Sequence, residues 1–255
     1  MRRIDGRARL ASLFVLGILM ASLLGASLPA EDRVYELRTY VTNEGKLDAL
    51  HQRFRDHTTG FFEKHGMQNH AYWVPLEGAE SENTLVYIIS HDNREAAAQS
   101  WESFRGDPEW QAAAAASEKD GKILAQPPES IYMVPTEFSP QNWEAGEEPR
   151  IFQLRRYTTV EGRLPALLKR FRNGEMALFK KHGFTNIAYF TPLEIPDTLI
   201  YVVAHEDQAA MKSAWESFRN DPEWQQLWES SSKDGKIVIK VDRQTLRPVD
   251  YSKLK

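Results

Sequence analysis

The sequence contains no cysteine, which excludes disulfide bonds and thiolate-ligated metals. It also has no excess of basic residues, because its 32 lysines and arginines are outnumbered by 36 aspartates and glutamates. Proteins that bind nucleic acids derive much of their affinity from cationic side chains on phosphates. The charge balance therefore argues against a nucleic-acid partner.

The short motifs of many catalytic sites are missing as well. The chain has no glycine-rich dinucleotide fingerprint, no P-loop, no HExxH and no GxSxG. Their absence argues against nucleotide-dependent and zinc-protease chemistry, and it leaves open enzymes whose catalytic residues are dispersed along the chain. The spacing of the histidines predicts no metal site. We therefore predict neither a metal nor a cofactor.

Long apolar runs are absent, apart from one between Leu10 and about Ala26. The arginines that precede this run are Arg2, Arg3, Arg7 and Arg9. A basic segment followed by an apolar run is typical of a secretory signal peptide. We predict that residues 1–30 are removed and that the protein is exported to the periplasm or the extracellular space. An uncleaved anchor is the alternative, although a membrane span needs about 20 apolar residues. We expect no membrane span in the mature chain.

The remaining chain contains an internal repeat. The decapeptide Trp101–Trp110 returns as Trp215–Trp224 with a single difference, and three further segments recur in the same order. These are VYELRTY from Val34 and IFQLRRY from Ile151, KHG from Lys64 and from Lys181, and KDGKI from Lys119 and from Lys233. The repeat predicts a duplicated domain, covering residues 31–138 and 150–255 with a linker at 139–149. Such a chain is expected to be a monomeric pseudo-dimer.

Hydrophobic periodicity predicts the same elements in each copy. In the first copy, strands are predicted at Val34–Val41, His70–Val74, Leu85–Ile89 and Ser130–Val134, with helical regions between Leu47 and Gly66 and from Arg94 to about Ser117. The last strand of the second copy is predicted near Gln244–Val249. The order strand, helix, strand, strand, helix, strand is that of a ferredoxin-like α+β domain. We expect the two antiparallel sheets to bury their open faces against each other in one barrel.

The repeated decapeptide is interpreted as a joint between two helices. Trp101 and Phe104 are spaced to face the sheet together, and Asp107 is placed to cap the next helix. Gly106 and its counterpart Asn220 are residue types that tolerate a left-handed helix end. A catalytic role for the acidic residues of the decapeptide is the alternative. His65 and His182, beside the glycines that end the first helix, are expected to satisfy terminal carbonyls or to interact with the negative end of the helix dipole.

Polar residues on one face of the predicted sheet form the candidate ligand site. Arg38 and Tyr40 lie with Glu36 on the face opposite Tyr35 and Leu37. The ten candidates are Arg38, Tyr40, Tyr72, Tyr87, His91, Arg155, Tyr157, Tyr189, Tyr201 and His205. If the two sheets face each other across this surface, these residues are expected to converge on one cavity inside the barrel. Such a cavity would suit an anionic or oxygenated aromatic ligand. The alternative is that the tyrosines are ordinary strand packing and that Arg38 pairs with Glu36 or another carboxylate.

The combination of YELRTY at Tyr35, KHG and the tryptophan-flanked joint resembles the NIPSNAP family, twice along the chain. The resemblance implies a dimeric α/β barrel whose two halves come from one chain. It implies no reaction and no catalytic residues, and Gln153 departs from the family's pattern at the position of Glu36. Related barrels include haem-handling and monooxygenase enzymes, an analogy of fold alone.

These observations predict an exported protein that binds a small ligand or a protein partner through its barrel interior. The alternative is a small-molecule enzyme, monooxygenase- or isomerase-like, with a dispersed site of arginine, tyrosine and histidine residues. A purely structural interaction module is a third interpretation. Catalytic residues cannot be named from the sequence.

Overall fold

The computed structural model describes residues 33–144 and 148–255. The predicted signal peptide lies outside the described residues, as does part of the predicted linker. Within those two ranges, no helix combines the length and the apolar character that crossing a bilayer requires.

The first half begins with strand β1 (Val34–Val41) and a helical region that an internal π-helical turn divides into α1 and α2. The elements are α1 (Leu47–Arg53), the π-turn (Phe54–Thr58), α2 (Thr59–Lys64), β2 (Gln68–Pro75), a short 3-10 helix (Ala79–Glu82), β3 (Thr84–His91), α3 (Arg94–Gly106), α4 (Pro108–Ser117) and β4 (Glu129–Pro135). The predicted order of strands and helices is confirmed.

The second half repeats this order. Its elements are β5 (Ile151–Thr159), α5 (Leu164–Arg170), a π-turn (Phe171–Glu175), α6 (Met176–Lys181), β6 (Thr185–Pro192), β7 (Thr198–His205), α7 (Gln208–Asn220), α8 (Pro222–Ser231) and β8 (Val238–Pro248). Strand β8 begins well before the predicted Gln244. Its first residues, including Ile239 and Val241, are exposed, so they lack the alternation of a half-buried strand.

The eight strands form one closed barrel in the order β1-β3-β2-β8-β5-β7-β6-β4. Each half contributes four adjacent strands, and its last strand pairs with the second strand of the other half. Thus β8 pairs with β2 and β4 pairs with β6, all antiparallel. Closure leaves no free sheet edge in the barrel. The predicted fold, two ferredoxin-like halves that join their sheets into an intrachain α/β barrel, is confirmed.

Alternation along each strand divides the side chains between two cores. The barrel interior is packed with apolar residues, including Leu37, Trp73, Ile88, Phe152, Phe190, Ile200 and Leu246. The opposite face packs against the helices of its own half, through Tyr40, Phe54, Phe62 and Tyr87 in the first half. Tyr157, Phe171, Phe179 and Tyr201 do the same in the second half. The barrel interior is thus the apolar face of the two sheets.

The repeated decapeptide is a helix–helix joint, as predicted. Asp107 caps α4 by accepting a hydrogen bond from the backbone N–H of Glu109 at 2.9 Å, and Asp221 caps α8 in the same way. The left-handed conformation predicted for Gly106 and Asn220 is wrong, because neither has a positive φ. The chain turns instead at the capping aspartate, whose backbone is extended.

The histidines of the two KHG motifs also differ from expectation. His65 does not satisfy helix-terminal carbonyls; its Nε2 lies 2.8 Å from Oδ2 of Asp107. His182 contacts Asp221 in the same way at 2.6 Å. Each KHG motif therefore clamps the joint of its own half, which ties the two repeated motifs together.

Candidate functional site

The ten predicted site residues do not meet inside the barrel. All of them lie on the helix-facing side of the sheet, five in each half, so the predicted shared cavity is wrong. The reason is that the strand face with Leu37 is apolar and lines the barrel interior, whereas the face with Arg38 packs against the helices. Their role in ligand binding stays a prediction.

Several of the ten have a packing role. Tyr72 stacks on Tyr87 with ring centroids 5.1 Å apart, and Tyr189 stacks on Tyr201 at 5.3 Å. The hydroxyls of Tyr72 and Tyr189 each donate to an asparagine three residues earlier. These tyrosines support the helices on the sheet in both halves alike, and they do not distinguish the halves.

In the first half, the buried carboxylate of Glu36 is the centre of a polar network. It accepts hydrogen bonds from Arg38 and from the hydroxyl of Ser130. The indole Nε1 of Trp101 donates to it at 2.7 Å, and Nε2 of His91 lies 3.0 Å away. Burial alone would raise the pKa of Glu36, but the bond to His91 and the charge of Arg38 outweigh it and lower the pKa to about 2. Glu36 is thus charged at neutral pH and neutralises Arg38.

In the second half, Gln153 occupies the position of Glu36 and no carboxylate replaces it. The amide oxygen of Gln153 accepts a hydrogen bond from Nε1 of Trp215. Arg155 stays beneath that indole, 4.2 Å from its ring centre, as Arg38 stays 4.3 Å from Trp101. Arg155 is only 7% exposed, and no carboxylate in residues 33–144 or 148–255 lies within ion-pair distance of it. Its guanidinium donates a hydrogen bond to the hydroxyl of Tyr157, at 3.3 Å.

His205, the counterpart of His91, is fully buried and has also lost its acceptor. Neither ring nitrogen has a hydrogen-bond partner within the described part of the chain. Burial lowers the pKa of His205 to about 4, and the charges of Arg155 and Arg150 act in the same direction. His205 is therefore neutral at pH 7.

A second buried arginine, present in both halves, pairs with a carboxylate from a different position in each half. In the first half, Arg53 pairs with Glu118 after α4 at 3.4 Å. The counterpart of Glu118 is Ser232, and Arg170 pairs instead with Glu175 on the π-turn at 2.8 Å. The short side chain of Ser232 leaves open space where the first half places a carboxylate.

This space belongs to a cavity of about 700 Å³ between α8 and the sheet of the second half, which we call the second-half chamber. Arg155, Arg170, Arg219 and Lys236 give it four cationic side chains, and Glu175 is its one carboxylate. Trp215, Trp224 and Trp228 form much of its apolar wall. Of the ten predicted residues, only Arg155 and Tyr157 line it. The chamber thus combines two buried cations, Arg155 and Arg170, with two exposed ones and an aromatic wall.

A second cavity of about 570 Å³ lies at one mouth of the barrel. Its floor is apolar, with Leu37 and Ile200, and its rim mixes the carboxylates of Glu129 and Asp242 with the guanidinium of Arg156. None of the ten predicted residues lines it. Because its rim balances charges of both signs, it provides a weaker basis for ligand recognition than the second-half chamber.

Sequence reasoning missed Arg170, Glu175 and the three tryptophans as neighbours of Arg155. A position-by-position comparison of the two repeats contains the signal that could have identified these residues. Thr58 becomes Glu175, Ala114 becomes Trp228 and Glu118 becomes Ser232. The three new residues line one chamber, and Gln153 lies next to it through its hydrogen bond with Trp215.

The sequence model of the NIPSNAP family matches residues 35–140 and 152–253. No curated protein matches the chain. A NIPSNAP domain protein from Burkholderia xenovorans is 25% identical, with a TM-score of 0.37, over 42% of this chain and 99% of its own.

The solved structures that resemble the whole barrel include candidate monooxygenases from Fusobacterium nucleatum and Lactobacillus acidophilus, each 10% identical, with TM-scores of 0.56 and 0.55. The alignments cover 88% and 86% of this chain, and 99% and 94% of the respective structures. At this identity the likeness shows the fold alone. Because the family model matches both halves over nearly their full length, the chain belongs to the NIPSNAP family.

Proposed function

We propose that the protein binds a small anionic molecule with an aromatic or apolar body in the second-half chamber. The observation that carries the proposal is Arg155, a buried cation that faces the chamber and has no carboxylate partner among the described residues. A buried charge without a partner is costly, so such a group is retained where something compensates it. A bound anion would do so.

The size and the walls of the chamber agree with such a ligand. Small-molecule sites are clefts of roughly 300–1,000 Å³ with apolar walls and a few placed polar groups, and the chamber has about 700 Å³. Trp228 is 51% exposed at the rim, where its counterpart is Ala114. The indole thus extends the aromatic wall toward solvent, which favours a ligand with a flat apolar body.

The test is calorimetric titration of the full chain with 2-naphthoate, an aromatic anion. The Ser232→Glu variant returns the carboxylate that the first half has in Glu118. It is expected to weaken 2-naphthoate binding by roughly tenfold, because the new charge repels the anion and fills part of the chamber. Ser230→Glu makes the same change on α8 outside the chamber lining, and it should bind as the unmodified protein does. A Ser232→Glu variant that binds equally well would contradict the proposal.

A second candidate function is an isomerase-like enzyme, and Glu175 is the observation that favours it. Its side chain is 2% exposed and lines the chamber. Burial raises the pKa of Glu175, although Arg170 and, more weakly, the charge of Arg155 oppose the shift. A carboxyl group with a raised pKa beside a ligand cavity suits general acid–base chemistry. The occurrence of the same fold in candidate monooxygenases also favours a test for enzymatic activity.

Phenylpyruvate tests this candidate, because its keto–enol interconversion moves only a proton from carbon to oxygen. An active chamber would accelerate the interconversion, measured by the ultraviolet absorbance of the enol. Glu175→Gln should abolish the acceleration and retain 2-naphthoate binding. A rate that is the same with and without protein would exclude this reaction.

We also propose that residues 1–30 direct export, which the basic and apolar pattern of the N-terminus supports. The expected result, on expression of the full chain in a bacterial host, is a periplasmic protein whose intact mass lacks these residues. A cytosolic protein that retains them would contradict the proposal.

A further inference from the structure

The two halves place the same donors around residues 36 and 153. In the first half, Arg38 and Trp101 donate to the carboxylate of Glu36, and His91 lies beside it. In the second half, Arg155, Trp215 and His205 hold the corresponding positions. The acceptor differs, because Gln153 offers an amide that already accepts the hydrogen bond from Trp215. The first half also has Ser130, which donates to Glu36 and whose place opposite the arginine in the strand register is taken by Arg243 in the second half.

The pose of the arginine does not depend on that acceptor. The guanidinium of Arg38 lies 4.3 Å from the ring centre of Trp101, and that of Arg155 lies 4.2 Å from Trp215. The stacking contact therefore holds Arg155 in place without an ion pair. A guanidinium fixed in this way loses little freedom when it binds an anion, so more of the interaction contributes to affinity.

We infer that the ligand of the second-half chamber is an aromatic carboxylate bound by Arg155, and that Gln153 permits its binding where a glutamate would prevent it. The inference rests on the proposed function. Its basis is the first half, in which this same set of side chains is satisfied by the carboxylate of Glu36. The first half thus carries its anion within the chain, whereas the second half leaves the arginine available to a ligand.

The neutral side chain at position 153 is the determining feature. A glutamate there would pair with Arg155 as Glu36 pairs with Arg38, and it would cancel the charge that the ligand needs. The amide of Gln153 accepts the hydrogen bond from the indole of Trp215 without contributing a negative charge. Position 153 therefore decides whether its half binds a free carboxylate.

The test compares 2-naphthoate with 2-naphthamide, which has the same rings and no charge. The unmodified protein is expected to bind 2-naphthoate roughly 10- to 100-fold more tightly than the amide. Gln153→Glu should remove this preference and leave 2-naphthamide binding unchanged. The urea midpoint of Gln153→Glu should equal or exceed that of the unmodified protein, because the new carboxylate pairs with Arg155. Gln52→Glu adds the same charge on the exposed surface of α1 and should keep the preference.

The outcomes separate this inference from the proposed function. If Gln153→Glu still prefers 2-naphthoate while Ser232→Glu weakens its binding, the role of position 153 is overturned and the chamber remains the binding site. Equal affinity of the unmodified protein for the two probes overturns the carboxylate preference alone. If neither probe binds the unmodified protein, the proposed function fails and this inference fails with it.

Discussion

The two halves of the barrel bury an arginine at the same place, beneath the same tryptophan, but only the first half neutralises it within the chain. Arg38 has Glu36 as its counter-ion, whereas Arg155 has a glutamine at the corresponding position. The helix-side environment is otherwise similar, with the same stacked tyrosines and the same capped joint. The contrast separates what the fold requires from what one half has changed.

The comparison teaches that the fold requires the arginine–tryptophan stack and not the ion pair. Both halves keep the stack at almost the same distance. Around Arg155 in the second half, Ser232 replaces the carboxylate of Glu118, and Trp228 adds an exposed indole. They occur together around one chamber, which is the pattern expected when one copy of a duplicated domain changes its ligand site.

The largest expected effect is a difference in stability between Glu36→Ala and Gln153→Ala. Removal of Glu36 leaves Arg38 buried without a counter-ion, which is expected to cost about 3–5 kcal/mol of unfolding free energy. Removal of Gln153 leaves one indole N–H without an acceptor and should cost about 1–2 kcal/mol. Urea unfolding at pH 7 measures both. Equal losses would show that the Glu36 ion pair contributes no more than a neutral hydrogen bond.

Acid should weaken the surroundings of Arg155 in the second half before the Glu36 network of the first half. The folded pKa of His205 is about 4, below its ordinary value of 6.5, so the unfolded chain takes up the proton first and stability falls as the pH drops from 6.5 to 4. The corresponding loss through Glu36 occurs between 4.5 and about 2. The shift of His205 corresponds to about 3 kcal/mol.

His205→Phe tests the acid prediction, because it removes the titrating group and keeps an aromatic ring beside Phe184. The variant should lose about 3 kcal/mol less than the unmodified protein between pH 7 and pH 4. His70 in the first half, whose pKa burial also lowers to about 4, contributes to the decline in the same range. An unchanged pH dependence in His205→Phe would remove His205 from the explanation.

The two tryptophans of the joint should contribute equally to stability and unequally to binding. Trp110 packs on Phe104 at 4.4 Å, and Trp224 packs on Phe218 at 4.5 Å. Both are half-buried, so each substitution by alanine is expected to cost about 2–3 kcal/mol, below the value for a fully buried tryptophan. Only Trp224 lines the chamber, so only Trp224→Ala should weaken 2-naphthoate binding. Equal binding by both variants would place the ligand elsewhere.

Much of the fold could be predicted from the sequence because its signals are local and occur twice. The alternation in Val34–Val41 and the capping pattern at Asp107 each have a counterpart in the second half, so the element predicted in one half supports the same element in the other. The start of β8 was missed because Ile239 and Val241 are exposed and show no buried face.

The position of the site could not be predicted, because alternation separates two faces of a strand without saying what covers each. All residues of β3 are buried, so the strand does not indicate which of its faces lines the barrel interior and which packs against the helices. The face that contains Arg38 was assigned to the barrel interior, whereas it lies under the helices. The chamber itself depends on side-chain size at Ser232 and Trp228, which no periodic pattern reveals.

The smallest expected effects come from two glycines that lack a glycine counterpart. Gly60 is exposed in α2, its counterpart is Ala177, and an added Cβ would meet no atom within 4 Å. Gly60→Ala should therefore raise the unfolding free energy by about 0.5–1 kcal/mol, because alanine loses less backbone freedom in a helix. At Gly174, an added Cβ would lie 2.9 Å from Cδ2 of Leu227.

Gly174→Ala should instead lower the unfolding free energy, by about 1 kcal/mol, because the end of the Leu227 side chain must move. In the first half the corresponding pair is His57 and Ala113, so a larger residue on the π-turn faces a smaller one on the helix. The loss from Gly174→Ala should therefore disappear when it is measured in a Leu227→Ala background, where the clash is absent. Thermal unfolding of the two single variants and the double variant completes the cycle. If Gly174→Ala costs the same in both backgrounds, contact with Leu227 is not the reason for glycine at this position.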